Sequence, residues 1–356
     1  MHILFFLSHP AHYYFFKNVI QTLECRGHST TIVIKKKDIL EELLINEGKQ
    51  YTNIQPQPRE RKNNKFSIVL SSLLDLAERD FQLFRLVRKQ KPELMIGSET
   101  SIAHVGKLLH IPSIVTTEDD FSVQKEFCYP TFPFATKLVA PNICDLGPWE
   151  KEKVGYNGYQ KLSYLHHDYF EPDADVVKNL NPDESPYFLL RFVKLTAHHD
   201  LGAKGITQEI AKRIINLLEP HGKVFISSES TLDAELEKYR LQLNPNNIHH
   251  VLAHAEMLIG DSQSMAVEAS ILGVPSIRFS HFIGNISVLE ELEHKYQLTF
   301  GVPSDQPDQL IEQIKKILNM TDRRSKWKQK REKMLSDKID VTQFLVNLIE
   351  ESLLQK

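Results

Sequence analysis

Residues 257–279, which read MLIGDSQSMAVEASILGVPSIRF, give the clearest indication of the fold of this chain. The apolar residues Met257–Ile259 predict a buried strand, and the polar turn Asp261–Ser264 follows it. A short helix then runs to Leu272, before Pro275–Phe279 forms the next strand. A strand, a turn, a helix and a second strand in this order predict an α/β unit with parallel strands.

The turn in this segment carries groups that suit a diphosphate and a ribose. A helix N-terminus presents backbone N–H groups and a positive dipole at the carboxyl edge of a sheet, where anions bind. Ser262, Gln263 and Ser264 lie there, and the serine hydroxyls would add donors. Glu268 follows Ser264 by four residues on the same helix face, where its carboxylate would accept hydrogen bonds from ribose hydroxyls. The alternative is a purely structural helix start with Glu268 near the dipole.

The same alternation of strands and helices extends along the whole chain. In the first half, the predicted strands are His2–Leu7, Thr30–Ile34, Glu93–Gly97, Pro112–Thr116 and Lys137–Ala140, and the helices are Ala11–Cys25, Phe66–Lys89 and Ser101–Leu109. In the second half, the strands are Tyr187–Arg191, Lys223–Ser227, Met257–Ile259 and Pro275–Phe279, and the helices outside residues 257–279 are Ile206–Leu218, Gln309–Leu318 and Thr342–Leu354. Each half is therefore predicted to be a doubly wound α/β domain.

Length and composition agree with two folded domains. The chain has 356 residues, of which 41% are hydrophobic and 25% are charged, as in ordinary globular proteins. Residues 171–186, EPDADVVKNLNPDESP, have the composition of a linker. We predict a first domain over residues 1–170, a linker over 171–186 and a second domain over 187–338. A C-terminal helix over 339–356 could pack back on the first domain.

Charge and cysteine content exclude several classes of protein. Lys and Arg total 43 against 46 Asp and Glu, so the net charge of −3 disfavours nucleic-acid binding. Cys25, Cys128 and Cys144 are too few and too far apart for a disulfide framework or a thiolate zinc site. The first apolar run lacks a basic flank and a cleavage site, so we interpret it as a strand. A cytoplasmic location is the prediction.

Histidine is abundant, but its spacing does not indicate a metal site. The sixteen histidines include the pairs His166-His167, His198-His199 and His249-His250. Adjacent side chains rarely reach one ion, and no H-E-x-x-H or Cys/His framework accompanies them. We therefore predict no metal and no cofactor.

Ser8-His9-Pro10-Ala11-His12 follows the first strand, where dinucleotide enzymes carry a glycine-rich loop. No G-x-G-x-x-G is present, which disfavours NAD. A histidine at this edge could deprotonate a hydroxyl, and His12 is the preferred candidate. The alternative is that His9 and His12 cap the following helix or pack against it.

Acidic residues follow two further strands. Glu118, Asp119 and Asp120 follow one, and Ser98-Glu99 follows another, so all are predicted at the same sheet edge. Closely spaced carboxylates raise one another's pKa values, which suits acid–base work. A solvated loop or a helix cap is the alternative.

Two basic stretches admit two interpretations. Residues 59–65, RERKNNK, and residues 35–37 are most simply solvated loops. Together with the apolar helix from Phe66 and the aromatic stretch Phe127–Phe134, they could instead contact anionic lipid or a diphosphate-lipid acceptor. Peripheral contact with the inner face of the cell membrane therefore stays open.

Two motifs resemble hydrolysing UDP-N-acetylglucosamine 2-epimerases. Asp261-Ser262-Gln263-Ser264-x-x-x-Glu268 is similar to their D-S-G-G-x-x-x-E pattern, with Gln263 and Ser264 in place of the glycines. Thr196-Ala197-His198-His199-Asp200-Leu201-Gly202 is similar to their T-x-H-R-x-N-x-G. The epimerase pattern expects Asp and His where this chain has Ser98 and Val115. Nearly the whole chain resembles a prokaryotic domain-of-unknown-function family of the GT-B superfamily.

The resemblance implies a function. GT-B enzymes have two Rossmann-like domains facing across a cleft; the second binds a sugar nucleotide, here a UDP-linked one, and the first binds an acceptor. In this interpretation His198, Arg278 and Arg191 assist the leaving diphosphate without metal, with His199 and Asp200 beside them. His12, Glu118 or Asp119 would activate a glycan or lipid-linked acceptor, with Ser8, His9 and Glu99 nearby. We expect a glycosyltransferase of surface polysaccharide or glycolipid synthesis; an epimerase or hydrolase and a non-catalytic binding protein are the alternatives.

Overall fold

A computed structural model describes residues 1–35, 39–55, 65–192, 205–228 and 231–354. The chain forms two compact units: Met1–Tyr164 with Ile339–Lys356, and Leu165–Lys338. Residues 171–186, predicted as a linker, lie inside the second unit and contain a helix, Ala174–Leu180. This helix forms because Asp173 caps it, accepting a hydrogen bond from the backbone N–H of Asp175.

Each unit is built on one parallel sheet. The strands are β1 His2–Leu7, β2 Ser29–Lys35, β3 Thr52–Gln55, β4 Leu94–Gly97, β5 Ser113–Thr116, β6 Lys137–Pro141, β7 Lys153–Tyr156, β8 Tyr187–Phe192, β9 Lys223–Ser228, β10 Met257–Gly260, β11 Ser276–Phe279 and β12 Thr299–Val302. In the first unit the strand order is β3-β2-β1-β4-β5-β6-β7, and in the second it is β12-β11-β10-β8-β9. The predicted α/β class with two parallel sheets is confirmed.

Helices connect the strands. They are α1 Pro10–Cys25, α2 Leu40–Asn46, α3 Lys65–Gln90, α4 Thr100–Leu109, α5 Lys125–Thr131, α6 Leu162–Leu165, α7 Ala174–Leu180, α8 Gln208–Leu218, α9 Ala234–Glu237, α10 Ile248–His254, α11 Gln263–Leu272, α12 Ser287–Glu290, α13 Pro307–Leu318, α14 Arg323–Ser336 and α15 Val341–Leu354. A π-helical turn, Glu291–Lys295, continues α12. Among these described helices, none is long and apolar enough to cross a bilayer.

The apolar runs became the central strands of the two sheets. Ile3–Leu7 of β1 and Phe188–Leu190 of β8 are buried, because each strand has a neighbour on both sides and is covered on both faces. The predicted strands lie within one or two residues of those observed. Strands β3, β7 and β12 were not predicted; all three are short edge strands, whose sequences need less apolar surface.

The C-terminal helix belongs to the first unit. Helix α15 packs against α1, with Glu350 Oε2 2.7 Å from Arg26 Nη1. The Thr342 hydroxyl donates a hydrogen bond of 2.9 Å to the carbonyl of Ser163. The chain thus returns to its first unit after completing the second.

Candidate functional site

The order of strands locates one candidate crevice in each unit. In the first sheet, β2 lies on one side of β1 and β4 lies on the other, so the order of the strands reverses direction at β1. In the second sheet, β8 is flanked in the same way by β9 and β10. Open parallel sheets bind ligands outside the carboxyl ends of the strands at such reversals. The candidate residues therefore follow β1 and β4 in the first unit and β8 and β10 in the second.

The predicted strand–turn–helix of the second unit is present. Ser262 is the N-cap of α11, and its side chain accepts a hydrogen bond from the backbone N–H of Met265 at 3.4 Å. The amide of Gln263 donates to the carbonyl of Asp261 at 3.2 Å, and Ser264 is exposed. The helix ends after Leu272, as predicted, at Gly273, whose φ is +78°. The first turn of α11 therefore lies at the carboxyl end of β10.

Five residues in register form a row across the second sheet: Ser227, Arg191, Gly260, Arg278 and Gly301, on β9, β8, β10, β11 and β12. Residues in register on parallel strands point to the same face, so both arginines share a face with glycines beside them. Gly260 lies between the two arginines, with its backbone packed against that of Arg191, and the strands of the two arginines are roughly 10 Å apart. Arg191 Nη1 donates to the Ser227 hydroxyl at 2.9 Å.

Arg278 lies beneath the surface of this face. Its side chain has no exposed area, and Nη2 lies 2.5 Å from Glu293 Oε2 and 3.8 Å from Glu290 Oε1. Burial lowers the pKa of Arg278, against the effect of the two carboxylates. Among the residues that the structure describes, Nε and Nη1 have no hydrogen-bond partner. Arg278 therefore holds the π-helical turn in place, and its buried guanidinium is not accessible to a ligand in this conformation.

Glu268 lies one turn inside α11, as predicted from the spacing. It is 7% exposed, and its Oε1 is 3.3 Å from Nε2 of His249 on α10. The carboxylate therefore has a partner within the protein. Ribose binding by Glu268 stays a prediction, and nothing in the sequence marked His249 beyond its place in a histidine pair.

His9 and His12 follow β1, at the candidate crevice of the first unit. His9 is the N-cap of α1, with Nδ1 accepting from the N–H of Ala11 at 3.1 Å. His12 Nδ1 lies 3.3 Å from both the backbone N and the hydroxyl of Ser8. Accepting a backbone N–H requires an unprotonated Nδ1, so the neutral ring carries its proton on Nε2. This geometry suits donation from His12 Nε2 better than proton removal there.

Two members of the acidic cluster after β5 hold neighbouring loops. Glu118 is buried; Oε1 accepts from the N–H of Gln160 at 2.5 Å, and Oε2 pairs with the Lys161 ammonium. Asp120 Oδ1 accepts from the N–H of Asp145 at 2.8 Å. Both carboxylates are engaged, so neither is placed to take a proton from a ligand.

Asp119 differs from its two neighbours. The residue is exposed, yet partial loss of hydration raises its pKa above the ordinary value. Lys161 opposes this shift, while Glu118 and Asp120 add to it. A carboxylate with a raised pKa at a sheet edge suits general base catalysis. Asp119 is therefore the titratable acid of this cluster best suited to chemistry.

Glu99 is the centre of a charged cluster at the carboxyl ends of β2 and β4. It is 5% exposed, with Lys35 Nζ 2.8 Å from Oε2 and Arg79 Nε 3.3 Å from Oε1. Beside it, the hydroxyls of Ser98 and Thr116 are 2.8 Å apart. The sequence indicated Glu99 as a candidate site residue but not Arg79, which lies in the middle of α3.

Other candidates lie elsewhere or outside the described residues. His198, His199 and Asp200 fall within residues 193–204, which the structure does not describe. In the described part of the chain, the only group with metal-ligand spacing is His166, His167 and Asp168. Asp168 donates its backbone N–H to His166 Nδ1 at 3.3 Å, which competes with an ion. The absence of a metal stays a prediction.

Comparisons with known proteins agree with the fold. A family model described as "Protein of unknown function (DUF354)" matches residues 1–353, whereas no curated protein matches the chain. UDP-GlcNAc 2-epimerase from Neisseria meningitidis, bound to UDP-GlcNAc, is 12% identical, with a TM-score of 0.65 over 100% of both chains. The glycosyltransferase of kitacinnamycin is 13% identical, with a TM-score of 0.64 over 99% of both chains. The epimerase from Methanocaldococcus jannaschii, in complex with UDP-GlcNAc and UDP, is 16% identical, with a TM-score of 0.62 over 90% of this chain and 94% of its own. The chain therefore has the GT-B fold.

Proposed function

The chain belongs to the DUF354 family, and from this premise and the site geometry we propose that it is a sugar-nucleotide-dependent glycosyltransferase. The donor is a nucleoside diphosphate sugar, with UDP as the first choice. The acceptor is a glycan or a lipid-linked glycan of a surface polysaccharide or glycolipid. No metal or cofactor takes part in the proposed reaction.

The carboxyl ends of β8 and β10 carry this proposal. Arg191 lies on β8, beside Gly260 at the end of β10, and α11 begins three residues after Gly260 with Ser262 as its N-cap. A cation and a helix N-terminus together suit a diphosphate, whose oxygens need close backbone donors and positive charge. Ser264, exposed in the first turn of α11, supplies a further hydroxyl.

In the proposed transfer, the acceptor oxygen forms a bond to the anomeric carbon, while the bond between that carbon and the diphosphate oxygen breaks. Arg191 and the α11 N-terminus stabilise the negative charge on the departing diphosphate. Asp119 takes the proton of the acceptor hydroxyl, and its raised pKa brings it closer to the working pH.

Transfer is favoured over 2-epimerisation by the ends of β4 and β5. The epimerase pattern places an acid and a histidine where this chain has Ser98 and Val115. The Ser98 hydroxyl is bonded to Thr116, and Val115 is 1% exposed in the core. Neither residue can exchange a proton with a sugar, so the first unit lacks part of the epimerase acid–base set.

Thermal unfolding with UDP, CDP, GDP and ADP tests the donor site. A nucleotide that binds at about 100 times its Kd adds roughly 2.7 kcal/mol of stability. We expect one nucleotide to stabilise the wild type and Arg191→Gln to lose most of that shift. Arg213→Gln is the matched control, because Arg213 is an exposed arginine of the same unit that pairs with Asp308. An equal shift in all three proteins contradicts the assigned site.

Donor consumption then separates the three functions. UDP-sugar that is consumed only with a glycan or glycolipid extract supports transfer. Consumption without acceptor supports a hydrolase or epimerase, and binding without consumption supports a non-catalytic protein.

A further inference from the structure

The outer face of helix α3 is apolar where an ordinary surface helix is polar. Leu73, Leu74 and Phe81 are 59%, 47% and 57% exposed. At 100° per residue these positions lie within about a third of the helix circumference, and Ala77, also exposed, lies between them. Large apolar side chains that share one exposed face mark a contact surface more often than scattered ones do.

The opposite side of the same helix is anchored in the first unit: Leu83 and Val87 are buried in the core, and polar side chains bind neighbouring elements. Asp80 Oδ2 is 2.8 Å from Nδ1 of His104 on α4. Arg79 Nη1 donates to the Gln55 side chain at 3.3 Å, and its Nε lies 3.3 Å from Glu99. Rotation of α3 to hide its apolar face would break these contacts. The exposure of that face is therefore fixed by the packing of the first unit.

Positive charge borders the apolar face at its C-terminal end. The guanidinium of Arg85 lies 5.9 Å from the centre of the Phe81 ring, and that of Arg88 lies 5.8 Å from the Phe84 ring. Both arginines and Lys89 are exposed, whereas Glu78 is the exposed acid on this stretch of α3. The sequence leading into the helix, RERKNNK, is also strongly basic.

We infer that the α3 face, formed by Leu73, Leu74, Ala77, Phe81, Arg85 and Arg88, binds the surface of an anionic lipid bilayer. An apolar helix face bordered by arginines lies in the plane of the lipid headgroups, with the apolar side chains in the acyl boundary. The arginines lie at the level of the anionic headgroups, where each basic residue strengthens binding about fivefold. The inference does not depend on the sugar chemistry, since no residue of the two crevices takes part.

Co-sedimentation of the full chain with vesicles tests this inference. We expect binding to vesicles of phosphatidylcholine with about a quarter phosphatidylglycerol, and this binding should weaken as salt rises from about 50 to about 300 mM, because mobile ions screen exposed charges. Leu73→Gln/Phe81→Gln should lower the partition coefficient at least about tenfold. Arg85→Gln/Arg88→Gln should lower it on anionic vesicles by about fivefold per arginine and leave binding to pure phosphatidylcholine unchanged.

A matched control removes two exposed apolar side chains elsewhere in the first unit. Ile45 and Leu354 are 62% and 76% exposed, and Ile45→Gln/Leu354→Gln should bind vesicles like the wild type. Circular dichroism verifies that all variants are folded, which their exposed positions favour. Equal binding of wild type and Leu73→Gln/Phe81→Gln overturns the inference.

A second outcome would identify a different occupant. If the wild type does not bind vesicles and sediments as a dimer in ultracentrifugation, while Leu73→Gln/Phe81→Gln is monomeric, the α3 face joins two copies of the chain. A wild-type protein that is monomeric and does not bind anionic vesicles also overturns lipid binding.

Discussion

Gly260 lies directly against the backbone of Arg191: a Cβ at position 260 would be 2.2 Å from the Arg191 carbonyl oxygen. The first unit repeats this relationship, since a Cβ at Gly97 would be 2.3 Å from the carbonyl oxygen of Phe6. Gly97 ends β4, which lies beside β1, and Gly260 ends β10, which lies beside β8. In both sheets this is the place where the strand order reverses. Both candidate crevices therefore open where two backbones approach too closely for any side chain.

Replacing Gly260 with alanine should separate β8 from β10. The added methyl would collide with backbone, which cannot rotate away, so we expect a loss of about 2–3 kcal/mol in the free energy of unfolding. Urea unfolding measures this loss. Gly284→Ala is the control, because no residue that the structure describes lies within 4 Å of its Cβ position and only its φ of +84° is unfavourable, costing about 1–2 kcal/mol. A Gly260→Ala protein as stable as the wild type would show that the strands can move apart freely.

The buried pair Glu118–Lys161 should couple strongly. Lys161→Met leaves the Glu118 carboxylate buried without its cation, at a cost of about 3–5 kcal/mol. Glu118→Gln/Lys161→Met should cost less than the sum of the two single changes, since no unpaired charge remains. A double-mutant cycle in urea gives the coupling energy. A value near zero would mean that water solvates Glu118 despite its burial.

The central strands could be predicted because their residues are almost all apolar, as in Ile3–Leu7. The edge strand Thr52–Gln55 could not, because its half-buried polar residues resemble a loop. Helix α14 was missed for a related reason: Trp327 and Met334 are its buried residues, too few to produce a wide apolar stripe.

The candidate site was predictable in position but not in partners. Residues after a strand lie at the carboxyl edge of the sheet, which placed Ser262, Asp119 and Glu99 correctly relative to their own strands. Contacts between distant parts of the chain leave no local signal. The burial of Arg278 depends on Glu293, fifteen residues later, and the pairing of Glu118 depends on Lys161. Such contacts decide which of the candidates can meet a ligand.

His104 should make the stability of the first unit depend on pH. Nδ1 is 2.8 Å from Asp80 Oδ2 and Nε2 is 2.7 Å from the Pro130 carbonyl, so both nitrogens face acceptors and the charged ring satisfies both. The hydrogen bond to Asp80 is the main reason why the pKa of His104 is raised. The stabilisation is therefore complete below the unfolded pKa of about 6.5 and is lost as pH rises through the folded value.

Unfolding of wild type and His104→Gln between about pH 5.5 and about pH 8.5, a range that spans the ordinary histidine pKa, measures this effect. The advantage of the wild type should be largest at the acidic end and shrink as the pH rises. Asp80→Asn is the matched variant, since it keeps the shape of the partner and removes its charge. A wild-type advantage that grows with pH would show that the neutral ring is the stabilising form.

Asp119 should control the acidic limb of the transfer rate. If its carboxylate takes the acceptor proton, Asp119→Asn should lower kcat by about 100-fold or more and leave nucleotide binding unchanged. In the wild type, the rate should fall as the pH drops through the raised pKa of Asp119, because only the ionised form accepts a proton. The release of nucleoside diphosphate as a function of pH measures both effects. Glu126→Gln, an exposed change in the same unit, should keep the wild-type rate and profile. An Asp119→Asn protein with an unaltered acidic limb would assign the proton acceptor to another residue.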